Sequence, residues 1–199
     1  MTREQRELAE LVYWDAASRG GLWWKSALSA ADLLCFALLI ALPFGAVVKA
    51  FCLTITGLFV IPACLCLIRA ARTVRNVCAV RDCAAAIEAL RNAETPKLRK
   101  ERIYTPDYAF FFQQSAVLDV RNTESLYVEW VYGPSDRRRG MRERIYRVGA
   151  ARKTGGYQAL FWKRMRQPRP KLPEDVRAVL EELTQHYPAL PVDDSGMKH

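Results

Sequence analysis

Histidine is nearly missing from this chain: His186 and the terminal His199 are its 2 copies. No cysteine pair has zinc-finger spacing, so the clustered ligands that a metal centre requires are lacking. Neither GxxxxGKS/T nor GxGxxG occurs, which removes the usual backbone cradles for phosphate. Thr154-Gly155-Gly156 reads as a hairpin turn instead. Nucleophilic catalysis needs a serine or cysteine beside a base and an orienting partner. His186 is the one candidate base, and a place on a terminal helix suits a surface role better. Carboxylates such as Asp119 and Glu129 form a conceivable acid pair, but cross-strand pairing with arginine accounts for them more simply. No catalytic, cofactor-binding or metal-binding residue is therefore assigned, and no enzyme is expected.

A disulfide framework is not indicated either. Of the 6 cysteines, Cys35, Cys52, Cys64 and Cys66 lie in apolar sequence, where cysteine behaves as a small hydrophobe. Cys78 and Cys83 follow, five apart on an expected helix, and too far round it to share a face closely. Cys78 is open to reversible acylation if a membrane is near. The C-terminal half has no cysteine, which fits a reducing compartment.

What is present is asymmetry. Apolar residues crowd into 33–68, the rest is polar and arginine-rich, and the net charge is +9. Such charge suits an anionic partner, either nucleic acid or the headgroups of a cytoplasmic leaflet. Between Trp24 and Arg69 the charged residues are Lys25, Asp32 and Lys49. A membrane span needs about 20 apolar residues, so the segment holds two. They are expected at 26–44 and 47–68, with a turn near Pro43-Phe44-Gly45. Trp23 and Trp24 stand where an interfacial aromatic belt belongs. The competing reading is a buried helical hairpin of a soluble protein. A cleaved signal peptide is not expected, because a polar, helix-like segment precedes the apolar run.

Basic residues set the orientation. Arg19 and Lys25 precede the first span, Arg69, Arg72, Arg75 and Arg81 follow the second, and the turn offers Lys49 alone. Both termini are then cytoplasmic and the location is the cytoplasmic (inner) membrane. Lys49 can snorkel to the outer headgroups. Asp32 is read as a boundary residue or an arginine partner before an ion-pathway residue, since proton relays need several such groups.

The segment 2–18 reads as a short helix with a capping box at Thr2 and Gln5 and a stop at Gly20-Gly21. Its Leu8, Leu11 and Val12 face either the membrane surface or the cytoplasmic domain. Helix is expected again from Arg69 to about Ala93, with Val77, Val80, Ala84 and Ile87 on one face and Pro96 as the end. From Ile103 the texture turns to strands: Tyr108–Phe112, Ala116–Arg121, Leu126–Tyr132, Tyr146–Ala150 and Tyr157–Trp162. Turn signals between them favour an antiparallel meander. A final helix is expected at Pro173–Tyr187, its apolar face made by Val176, Val179, Leu180, Leu183 and Tyr187. The fold class is an α+β membrane protein, a curved sheet or open barrel plugged by that helix. The divisions are an N-terminal helix (1–25), a hairpin of spans (26–68), a connecting helix (69–96), a β domain (97–188) and a tail (189–199).

The layout, with IYTPDYAFFF, LYVEWVY before a charged loop, YQALFW and LPEDVRAVLEEL, resembles bacterial membrane-anchored pleckstrin-homology-like (PH-like) proteins of the YcxB-like kind. Glu124-Ser125-Leu126 departs from their acidic-then-aliphatic pattern before the central strand. The resemblance implies a two-helix anchor, a small antiparallel PH-like domain and a closing helix, and carries no catalytic residues.

Arg137-Arg138-Arg139 is the most conspicuous charged block, with Arg69, Arg72 and Arg75 a second basic stripe. Forked guanidinium donors suit phosphate, so these six are the candidate contacts to lipid headgroups or another anion. A merely solvated loop and a topology signal are the plainer readings. Nucleic acid is disfavoured, because the aromatics alternate as if facing a core rather than offering stacking platforms. The expected role is a non-enzymatic binding or scaffolding module held at the bilayer for a protein partner not specified by sequence. The alternative is a subunit of a larger membrane complex, with Ala46, Ala50 and Gly57 permitting close helix contact.

Overall fold

The computed structural model of the chain describes residues 1–13, 21–41, 43, 45–93, 102–132, 142–167 and 172–193. The first helix, α1 (Arg3–Val12), begins at the capping box: the Thr2 hydroxyl accepts from the Gln5 amide and the Gln5 side chain accepts from the Thr2 amide. Two long helices follow, α2 (Leu22–Ala41) and α3 (Ala46–Cys78), and both are long and apolar enough to cross a membrane. They pack against each other as an antiparallel hairpin whose turn spans the expected proline and glycine. Gly57 lies within that packing, where an added Cβ would make an ordinary contact of 3.7 Å with the Phe36 ring. Lys49 turns back over the turn and donates to the Ile40 carbonyl at 2.8 Å.

α3 does not stop at Ile68, where the apolar stretch ends. It runs on to Cys78 as one helix, with Pro62 inside it. The expected continuous connecting helix is broken at 79–82, because Asp82 caps a new helix, α4 (Cys83–Asn92), by accepting from the Ala85 amide at 2.9 Å.

Among the described residues, seven strands make two sheets rather than one meander. β1 (Arg102–Tyr104), β2 (Tyr108–Phe111) and β3 (Ala116–Asp119) form an antiparallel three-stranded sheet. A 3-10 turn at Val120–Asn122, capped by Asp119, redirects the chain into β4 (Thr123–Tyr132). β4 pairs with β5 (Arg142–Arg152), β5 pairs with β6 (Tyr157–Gln167), and all three are antiparallel. Helix α5 (Glu174–His186) then crosses the sheet, and β7 (Val192–Asp193) joins β4 in parallel. The sheets are joined where the Gln158 side chain donates to the Val117 carbonyl at 2.9 Å. The class is thus mixed α+β, with two long apolar helices and small sheets.

The three-stranded sheet is buried on both faces, which explains why YAFFF shows no alternation. Tyr108, Phe110 and Phe112 enter one core with Leu8 and Val12 of α1, Val77 of α3, and Ile87 and Leu90 of α4. Ala109 and Phe111 enter the other with Leu126, Tyr146, Val148 and Leu160 of the large sheet and Val176, Val179 and Leu183 of α5. Residue 97 therefore divides the chain but not the packing: the first core spans it.

Between α3 and the small sheet the join is polar as well as apolar. The Asn76 amide donates to the Ser115 carbonyl at 3.0 Å, in the turn after β2. Ser115 holds the left-handed conformation there, with φ 49°. Tyr187 closes the opposite side, its hydroxyl donating to the carbonyls of Thr105 at 2.7 Å and Tyr108 at 2.8 Å.

Candidate functional site

Two clefts carry charged side chains. The first, ≈ 420 Å³, is lined by Arg81, Asp82, Tyr108, Asp119 and Arg121, with Asn122 beside them. Its two acids and Arg121 are committed to structure. Asp119 accepts from the Arg81 amide at 3.2 Å and the Asn122 amide at 3.3 Å. Asp82 caps α4, and Arg121 forks onto Asp107 through two contacts of 2.8 Å. Burial and then the nearby carboxylates push the Tyr108 phenol up to about 12, so it is a neutral donor to the Asp82 carbonyl at 3.2 Å. A cleft whose acids are all engaged as helix and turn caps has no free base to offer.

The second cleft, ≈ 320 Å³, lies where the end of α3 meets the outer face of the large sheet. α3 supplies Arg72 and Arg75, β5 supplies Arg147, β6 supplies Trp162 and Arg164, and the turn after β2 supplies Gln114. The geometry follows from two periodicities. Arg72 and Arg75 are three apart and share a helix face. Arg147 stands opposite Trp162, and Ile145 opposite Arg164, in the β5–β6 register, so these side chains share one face of the sheet. Asn76, one residue past Arg75, pins the helix to the turn and so fixes the helical arginines over the strands.

Charge balance in this cleft is uneven. Arg147 has Glu129 at 3.4 Å and Arg164 has Glu143 at 3.4 Å. Arg72 and Arg75 have no acidic partner within ion-pair distance among the described residues. Their field reaches a neighbour: burial first, and then the charge of Arg75, push the pKa of half-buried Arg152 down. Trp162 is 40% exposed and forms an apolar wall.

Of the candidate anion contacts read from sequence, Arg72 and Arg75 come together here with strand arginines. Arg69 is exposed on the same helix, and Arg137, Arg138 and Arg139 lie outside the described residues. Arg147 and Arg164 escape a sequence reading because each looks like an ordinary solvent-facing strand residue. Only the register and the course of α3 make them neighbours of Arg72 and Arg75.

The remaining chemistry-bearing groups are dispersed. His186 stacks on Tyr104 with ring centroids 4.5 Å apart, at the end of α5. Asp119 and Glu129 lie on strands of different sheets, so they do not form a carboxylate pair. Burial pushes the Cys83 thiol up to about 11, which keeps it protonated and inert. Asp32 is half-buried in α2, with one carboxylate oxygen buried and lacking a hydrogen-bond partner among the described residues. No group of three or more metal-ligating side chains occurs among the described residues. Comparison with family models, with curated proteins and with solved structures finds no match to this chain.

Proposed function

We propose that the protein is a non-enzymatic binding or scaffolding module anchored in the cytoplasmic membrane by the α2–α3 hairpin, with both termini cytoplasmic. The observation that carries the reading is the continuity of α3. One helix bears exposed apolar side chains such as Phe51, Leu58, Ile61 and Leu65 in its first two thirds. Its last turns bear arginines and enter the soluble core. Of the most apolar stretches of α2 and α3, 0% and 6% of the residues are buried, whereas a core helix of a soluble protein would be covered. Exposed apolar surface on that scale marks a membrane or a partner, and the arginine asymmetry around the hairpin supports a cytoplasmic orientation.

The soluble part is read as PH-like. Two small, mainly antiparallel sheets closed by one amphipathic helix support that reading, and so do the segments that carried the resemblance. Function by fold analogy is an association, so the binding role rests on the anchored geometry instead.

Reporter fusions after residue 18 and after Tyr187 test the topology, and both should report the cytoplasm. An external signal from the second fusion overturns it. Crosslinking in intact membranes then separates the roles: partners captured through the β strands support recruitment, and partners captured through α2 and α3 support a complex subunit.

A further inference from the structure

The inference rests on the anchored reading above and names a ligand for the cleft. We propose that Arg72 and Arg75 of α3, with Arg147 of β5 and Arg164 of β6, bind the phosphate of an anionic lipid headgroup from the adjacent leaflet.

Chemistry comes first. Guanidinium forks brought together from three elements match the oxygens of a phosphate, which accepts paired N–H donors. Two of the cations, Arg72 and Arg75, have no acid within ion-pair distance among the described residues, whereas the strand arginines each have one. Gln114 adds a neutral amide and Trp162 an apolar wall. Glu129 and Glu143 hold the strand arginines in place at 3.4 Å without covering the helical ones.

Height above the bilayer comes next. A helix rises about 1.5 Å per residue, so Arg72 stands about 6 Å and Arg75 about 10.5 Å beyond Ile68 along α3. The headgroup layer on one side of a bilayer is roughly 5–8 Å thick. The cleft therefore opens at the outer edge of that layer, where a headgroup can enter while its acyl chains stay in the leaflet. Its volume of ≈ 320 Å³ lies at the small end of ligand sites, about 300–1,000 Å³. That suits a headgroup and not a whole lipid. The Asn76–Ser115 contact keeps this height fixed, because it ties the helix to the sheet one residue beyond Arg75.

The test uses the full chain in neutral detergent–phosphatidylcholine micelles, titrated with short-chain phosphatidic acid or phosphatidylglycerol and, separately, with soluble glycerol phosphate. Tryptophan fluorescence and calorimetry report binding. Saturable lipid binding is expected, with glycerol phosphate at least tenfold weaker. Each arginine near an anionic surface is worth about fivefold, so the Arg72→Gln/Arg75→Gln and Arg147→Gln/Arg164→Gln pairs should each weaken binding at least tenfold. Arg177→Gln, on the exposed side of α5, should change it less than twofold. The fluorescence change should vanish in Trp162→Phe. Equal affinity for glycerol phosphate overturns the lipid source in favour of a free phosphate ester. An equal loss in Arg177→Gln, a signal that persists in Trp162→Phe, or no saturable binding overturns the cleft. Alkaline carbonate washing of membranes carrying the same variants keeps the two readings apart. Extraction of the wild-type chain defeats the anchor, whereas a wild-type chain that stays in the pellet yet shows no saturable lipid binding defeats the cleft and leaves the anchor standing.

Discussion

Phe110 and Phe111 are adjacent in sequence and both wholly buried, yet they belong to different cores. Phe110 faces the helical side, where α1, α4 and the end of α3 meet. Phe111 faces the sheet side, under α5. The thin three-stranded sheet is thus a shared wall, and the helix that leaves the apolar hairpin is part of one of the rooms it divides. The difference between the two sides is one of linkage. The helical core couples the soluble part to α3, and the sheet core holds the strands that display Arg147 and Arg164.

Breaking either side tests the distinction most strongly. Phe110→Ala and Phe111→Ala should each cost about 3–5 kcal/mol, the usual range for removing a large aromatic from a close-packed site. Thermal melts in detergent should report similar losses. Hydrogen exchange should separate them, with Phe110→Ala loosening α1 and α4 and Phe111→Ala loosening α5. Identical exchange maps would mean that the wall does not divide the cores. A fragment beginning at residue 97 strips the helical side from Tyr108, Phe110 and Phe112, so it should bind a hydrophobic dye although it lacks α2 and α3, and a fragment that binds none would mean that the helical side is not needed to cover them.

Next in size is Gly149→Ala, which acts on the sheet side alone. A Cβ at Gly149 would lie 2.3 Å from the Tyr127 ring and 2.6 Å from the Gln158 carbonyl oxygen, beside the bulge of β5 on β6. Overpacking of this kind costs about 1–3 kcal/mol. Adding Tyr127→Leu should recover part of the loss and not all of it, because the backbone oxygen remains.

Tyr187→Phe is a smaller, polar cut on the same side. It removes the donor shared by the Thr105 and Tyr108 carbonyls and should lower stability by about 1–2 kcal/mol. The smallest effect is a shift with pH on the helical side. The Tyr108 phenol is raised from its ordinary value of 10.0 to about 12. Its contribution is complete below pH 10 and is lost as pH rises through about 12, since the unfolded chain releases that proton first. Tyr108→Phe should flatten the alkaline limb of the melting curve across that interval, and an unchanged limb would assign it to other groups.

How much of this was readable beforehand depends on where each signal lives. The hairpin of α2 and α3 is legible because length and apolarity are local properties, and α5 because Val176, Val179 and Leu183 repeat at helical spacing. The ends are less so: α2 begins at Leu22 rather than at 26, since a helix does not stop where polarity changes. The break before α4 was hidden in an unbroken apolar stripe, although Asp82 at the head of Cys-Ala-Ala-Ala is a capping signal. β1 and β7 are too short to show alternation. The double burial of YAFFF was visible as a continuous run, but its division between two cores was not. The cleft is a property of register, and nothing near Arg147 or Arg164 announces Arg72 and Arg75.

The unbroken course of α3 fixes an angle as well as a height. An α-helix turns about 100° for each residue, so with the hairpin in a bilayer as proposed, the side of the strand-rich part that looks along the membrane would be set by the count of residues between Ile68 and Asn76. One alanine inserted after Ile68 would swing the whole sheet assembly by more than a quarter turn and lift it about 1.5 Å. Four alanines would restore the bearing to within about 40° at a height about 6 Å greater. Heading and altitude are therefore coupled through insertion length, as on a threaded post.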